Sequence, residues 1–336
     1  MAFLSAIPEI SFQKPLLALV LGNTVLSTVP GVSGAGPTPE KTLLTPVLDA
    51  ELVLTGAITS MPLKPNTPTG CPTPATITRS MVSLTGLSPL FVNAGLRHPP
   101  TVPSLDVYGE IGGDPRSGDA VPKARELFER GRYVGSLLGG YSDLLMLGEC
   151  VPGGTTTALC VLRGLGFRAR VSSSYIDNPH PLKEEISRIV LERIAKDGIH
   201  DPLDVVRYAG DPMIPVAAGI ALQYPGTVIL AGGTQMLAVA GVLGRMGHSI
   251  PCIATTSYVR DDASATFTET LEEVGAYAYY VDPDFGDLGH AGLARYCIGE
   301  VKEGMGAGGA MVLAYLMGYS PDVITRAILD FVTGYS

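Results

Sequence analysis

Eight short stretches of this chain are apolar from end to end instead of on alternate residues: 16–24, 52–58, 90–96, 143–149, 168–174, 227–233, 251–257 and 276–282. A strand with one wet face alternates, whereas a strand covered on both faces does not. Several of the runs end in Gly, Asn, Thr or Ser, and helix-like segments separate them. The clearest is 182–198, where Leu182, Ile186, Ile189, Val190 and Ile194 line one face and Gly198 ends the pattern. Further helices are expected at 121–139, 154–164, 235–246, 263–274, 287–300, 307–317 and 321–333. This order predicts an α/β fold: a doubly wound, mainly parallel sheet with helices on both faces. No compositional break divides the chain, so 1–336 reads as one domain, with a smaller helical subdomain built from the terminal segments. The Pro-rich 61–74 and the segment 107–122 read as irregular loops.

Composition narrows the function. Only 16% of the 336 residues are charged and 46% are hydrophobic, so disorder is excluded and a large core is expected. A net charge of −9 argues against nucleic acid as a partner. The most apolar stretch, 227–244, is broken by Gly232, Gly233, Thr234 and Gln235, which suits strand, turn and helix better than a membrane span. No positive charge precedes the apolar run at 16–21 except Lys14, so no secretory signal is read and a cytoplasmic location is expected. The five cysteines and five histidines are dispersed without CxxC or HExxH, giving buried free thiols and no metal site as the expectation.

Three glycine clusters carry the candidate chemistry. GECVPGGTTTALC (148–160) follows an apolar run and opens a helix. Backbone N–H groups and hydroxyls there can hold a phosphate-sized anion, and the same pattern also suits a plain threonine-capped turn. VILAGGT (228–234) repeats the arrangement. KEGMGAGGAM (302–311) satisfies GxGxxG only formally, because no buried strand precedes it. Its Glu303 is either a surface glutamate at a helix start or a desolvated carboxylate suited to general-base work.

Taken in order, GECVPGGTTTA, YIDNP, IHDPLDVVRYAG, VILAGGTQMLAVAGVL, TTSYVRDDAS and KEGMGAGGAMVLAY resemble the nicotinate-nucleotide–dimethylbenzimidazole phosphoribosyltransferase family, most closely its archaeal branch. The N-terminal half is similar through LGNTVLSTVPGVSGAGPTP and FVNAGLRHPPTVPSLDVYGEIGG. The resemblance implies a transferase of cobalamin biosynthesis. It would move ribose 5-phosphate from nicotinate mononucleotide to a benzimidazole-type or purine base, giving an α-ribotide, with no cofactor.

By the same resemblance the catalytic base is Glu303. Substrate binding falls to Glu149, Gly153, Gly154, Thr155, Thr156, Gly232, Gly233 and Ser257, with Thr38 near the base pocket. The chain differs from the bacterial pattern where Gly154 stands for an asparagine, Pro179 for a lysine, and Ala231 and Gly233 for an Asp and a Phe. A phosphate counter-charge would then come from His180, Lys183 or Arg260, and the open base pocket suits a different or larger ring. The resemblance also implies small-molecule substrates as the partners and a homodimer. The other readings on this scaffold are a nucleotide N-ribosyl hydrolase and a non-catalytic nucleotide or corrinoid-precursor binding protein.

Overall fold

Six of the eight apolar runs are strands of one sheet in the computed structural model, which describes residues 2–36 and 38–335. The strands are β1 (Pro15–Gly22), β2 (Leu90–Gly95), β3 (Leu105–Asp106), β4 (Leu144–Cys150), β5 (Thr227–Ala231), β6 (Cys252–Thr256) and β7 (Ala278–Val281). All neighbouring pairs are parallel, in the order β3-β2-β1-β4-β5-β6-β7. From β1 the chain builds outward through β2 and β3, then returns to place β4 on the opposite side. The connections therefore diverge between β1 and β4, where a parallel α/β sheet opens a crevice at its carboxyl edge.

The first helices are α1 (Pro39–Thr42), α2 (Thr45–Thr55), α3 (Pro74–Thr85), α4 (Ala124–Leu138), α5 (Gly154–Gly164), α6 (His180–Lys196) and α7 (Pro202–Ala209). The rest are α8 (Met213–Gln223), α9 (Thr234–Arg245), α10 (Ser257–Arg260), α11 (Phe267–Val274), α12 (Ala307–Leu316) and α13 (Pro321–Gly334). Every residue of β4 is buried, and its side chains divide between two cores. Leu145 and Leu147 pack with α4, α5, α8 and α9 on one face. Leu144 and Met146 pack with α2, α3, α12 and α13 on the other. Period-two geometry turns an unbroken apolar run into two interfaces, which is why the run carries no alternation.

Two expected strands are not strands. The run 52–58 is the end of α2, which Pro46 starts and Gly56, at φ +86°, stops. A short apolar run is ambiguous between helix and strand, and the flanking Pro and Gly decide here. The run 168–174 is extended but unpaired with the sheet. Side chains satisfy part of its backbone: Arg170 N–H donates to Thr266, and the carbonyls of Ser172 and Ser173 accept from Lys183 and Lys302. The helix expected over 287–300 reduces to a six-residue 3₁₀ turn, Leu293–Ile298, with glycines at 289, 292 and 299 around it. Helices α1, α2, α3, α7, α8 and α10 lie outside the segments expected to be helical, and the two-residue β3 lies outside the runs expected to be strands. The segments 61–73 and 107–122 hold no strand and no α-helix.

Candidate functional site

The cavity lies at the carboxyl edge of the sheet, where the strand order diverges. It holds about 370 Å³ and is walled by the turns after β4 and β5, the segment 32–36, α2, the 63–68 loop and the segment 301–305. The β4–α5 turn begins the floor. Gly153 adopts φ +77°, which a residue with Cβ rarely takes, and so lets the chain reverse straight into α5. Gly154 follows for a different reason. A Cβ there would lie 1.6 Å from Gln235 Oε1, so the amide of Gln235 occupies the space that a side chain at 154 would need. That amide donates from Nε2 to Glu149 Oε2 at 2.7 Å.

Glu149 is 2% exposed, and its Oε2 also accepts from Val151 N–H at 3.1 Å. Burial, reinforced by the charges of Asp211 and Glu303, pushes its pKa up to about 8. Glu303 is half-buried on the cavity wall. Gly308 N–H donates to its Oε1 at 3.0 Å, and Thr256 N–H and Thr255 Oγ1 donate to Oε2 at 3.3 and 3.4 Å. These bonds favour the charged form, yet removal from bulk water outweighs them and raises the pKa to about 7. The backbone around Glu303 is unusual. Val301 and Met305 sit at φ +52° and +51°, conformations that bulky residues avoid. Gly308 completes the arrangement, since a Cβ there would approach Thr255 C to 2.6 Å and Glu303 Oε2 to 2.8 Å.

Two lysines serve the floor, Lys302 on the cavity wall and Lys183 behind it. Lys183, 1% exposed, donates to Ser172 O at 2.6 Å and Thr155 Oγ1 at 3.3 Å. Lys302 donates to Gly299 O at 2.7 Å and Ser173 O at 2.9 Å, and lies 3.4 Å from Asp262. Burial first, then the neighbouring Lys302, lowers the Lys183 pKa to about 7, with Asp262 opposing. Asp262 is the acid that offsets these two ammonium groups.

Of the residues singled out in the sequence, the cavity wall includes Glu149, Gly153, Gly154, Thr155, Gly233 and Glu303. Thr156 and Ser257 are buried and outside the wall. Gly232 stands behind Glu149, its Cβ position 3.6 Å from Glu149 Oε1. Thr38 is exposed, away from the wall, and accepts from Lys41 N–H as the cap of α1. Asp49 on α2 and Gln235 on α9 also line the cavity; no sequence motif marks Asp49, and Gln235 directly follows the glycine turn after β5 without being singled out there as a site residue. Lys183 carries a readable signal: it falls in step with Ile186, Val190 and Ile194 on the buried stripe of α6. Asp49 lies in a helix that the sequence pattern does not reveal.

Among the described residues no group of three or more His, Cys, Asp or Glu side chains is placed to hold a metal ion. No described helix is long and apolar enough to cross a membrane.

No family model matches the sequence. Curated relatives include a UPF0284 protein of Thermococcus onnurineus, 43% identical over 322 residues that cover 94% of this chain and 96% of the relative. Those of Pyrococcus furiosus and Methanosarcina acetivorans are each 41% identical, covering 94% of this chain and 97% and 94% of theirs. Among solved structures, the nicotinate-nucleotide-dimethylbenzimidazole phosphoribosyltransferase of Thermus thermophilus superimposes with a TM-score of 0.61 at 17% identity, over 97% of this chain and 86% of that one. The chain thus belongs to the UPF0284 family of archaeal relatives and carries the fold of that phosphoribosyltransferase.

Proposed function

We propose that the protein is a cobamide-related phosphoribosyltransferase, moving ribose 5-phosphate from nicotinate mononucleotide to a nitrogen heterocycle of the benzimidazole or purine class. One observation carries the reading: Glu303, with its pKa raised to about 7, faces a cavity whose floor is a glycine turn backed by two buried lysines. A glutamate poised near neutrality can take a proton without being locked in either state. A dianionic phosphate monoester would offset the surplus positive charge of Lys183 and Lys302 and fit against Thr155 and the start of α5.

In this reading the azole ring nitrogen attacks C1′ as the bond from C1′ to the pyridinium nitrogen breaks, with inversion at the anomeric carbon. The nicotinate ring leaves with that electron pair as a neutral base, and the azole N–H proton passes to the Glu303 carboxylate. No metal is needed for so good a leaving group. Glu149, whose pKa burial raises to about 8, donates a hydrogen bond to the sugar in its protonated form in this reading. Holding the two rings in line with C1′ contributes the larger share of the rate, and the base about two to four powers of ten.

The test is product analysis with nicotinate mononucleotide, with and without benzimidazole. The reading expects nicotinate and an α-ribotide together, and a loss of about a hundredfold or more in kcat for Glu303→Gln. Nicotinate released equally fast without the azole would make the protein a hydrolase. Nucleotide binding with no turnover would make it a binding protein.

A further inference from the structure

Two carboxyl groups of α2 are buried, and the fold treats them in opposite ways. Glu51 is 4% exposed and accepts four hydrogen bonds, from the N–H and hydroxyl groups of Thr59 and Ser60. Its pKa is lowered, as expected of a carboxylate that anchors a loop. Asp49 is 7% exposed, and its hydrogen-bond partner is the Cys150 thiol, a weak donor, at 3.8 Å. Its carboxyl lines the cavity beside Leu48, Ile58 and Leu63, and its pKa is pushed up to about 7. Buried polar groups that serve the fold are paired. A carboxyl left almost bare on the wall of a ligand cavity is instead placed for a ligand.

We propose that Asp49 reads the edge of the incoming base, selecting heteroaromatic acceptors that present a hydrogen-bond donor beside an acceptor over bases whose outer edge is apolar. The inference rests on the transferase reading and narrows its acceptor. The chemistry follows from position: Asp49 lines the cavity from α2, and Glu303 lines it from the turn before α12. A carboxyl group near neutrality offers a hydroxyl donor and a carbonyl acceptor side by side, the complement of an aminopurine edge. A base with methyl groups on that edge would leave Asp49 buried and unpaired, which disfavours it.

Calorimetric titration of the full protein with adenine and with benzimidazole tests this, on the wild type, Asp49→Ala and Asp49→Asn, each shown folded by thermal melting. Adenine affinity should fall about tenfold or more in Asp49→Ala, with benzimidazole changed less than about threefold. Asp49→Asn keeps a donor and an acceptor and should retain adenine affinity within about threefold. Asp49→Leu replaces the alanine variant if that variant does not fold. Equal losses for both bases, no loss for either, or no adenine binding by the wild type would overturn the proposal. Nicotinate release by the wild type with benzimidazole as acceptor tests the transferase reading by itself, and its failure would overturn that reading separately.

Discussion

Lys183 shows how a single side chain can be set against the fold that holds it. An ammonium group is costly to bury, and this one has a carbonyl and a hydroxyl as its bonded partners, with Lys302 close by. Replacing it with methionine, which has a similar shape and no charge, should therefore raise the midpoint of thermal unfolding while damaging donor binding. We expect Lys183→Met to raise KM for nicotinate mononucleotide about tenfold to a hundredfold, the range of a lost charge-assisted hydrogen bond. Nicotinate riboside, which lacks the phosphate, should bind the variant and the wild type alike. A variant that is less stable and equally impaired toward both donors would place Lys183 in the framework and not at the phosphate. In the sequence this residue is reached through the family resemblance, as a counter-charge where Pro179 stands for a lysine; its place in step with Ile186 and Val190 on the buried stripe of α6 is what the structure adds.

The same change, glycine to alanine, should have opposite results in two helices. In α12, Gly308 lets the helix N-terminus touch β6, and a Cβ would meet the Thr255 backbone at 2.6 Å. Gly308→Ala should lower unfolding free energy by about 1–3 kcal/mol and displace Glu303, whose carboxylate the same N–H holds. At the end of α13, nothing lies within 4 Å of the Cβ position of Gly334, and alanine there should be neutral or stabilising by up to about 1 kcal/mol. Urea melts of the two variants check both signs. Elements also explain what could be read in advance. Strands β1, β2 and β4 to β7 were legible because burial on both faces leaves a local signature, and the glycine turn and Glu303 because each lies within one short motif. Helix α8 was not, since its sequence MIPVAAGIALQ is buried nearly all round and has no polar face to give a period. The segment 168–174 has the composition of a strand, but Lys183 and Lys302 satisfy carbonyls there that a neighbouring strand would otherwise take. Asp49 reaches the cavity by packing between distant segments, which no local pattern records.

Over the whole molecule, the buried acids make stability fall as pH rises through neutrality. Asp49, Glu149, Asp211 and Glu303 have folded pKa values pushed up to about 7, 8, 6 and 7, each because burial disfavours the charged form. Between their ordinary values near 4 and these raised values, the native state holds protons that the unfolded chain has released. Stability contributed by these groups is therefore present in full below about pH 4 and lost as pH climbs to about 8, with a limiting slope of about 1.4 kcal/mol per pH unit for each group. Carboxylates such as Glu51, Asp114, Asp262 and Glu300 are shifted the other way, and their contribution is lost as pH falls below about 4. Lys183 and His180 have lowered pKa values, so the native state binds fewer protons there and stability gains as pH rises, His180 below about pH 6.5 and Lys183 above about 7. Four acids against one histidine leave the acids dominant between pH 5 and 7. The ligand-free protein should thus melt highest near pH 5 and progressively lower toward pH 7. Asp49→Asn and Asp211→Asn together should flatten that slope, because an amide has no proton to lose. A melting temperature that rises from pH 5 to pH 7 in the ligand-free protein would mean these carboxyl groups are already ionised and paired, and Glu303 and Asp49 would then lack the raised pKa on which both proposals draw.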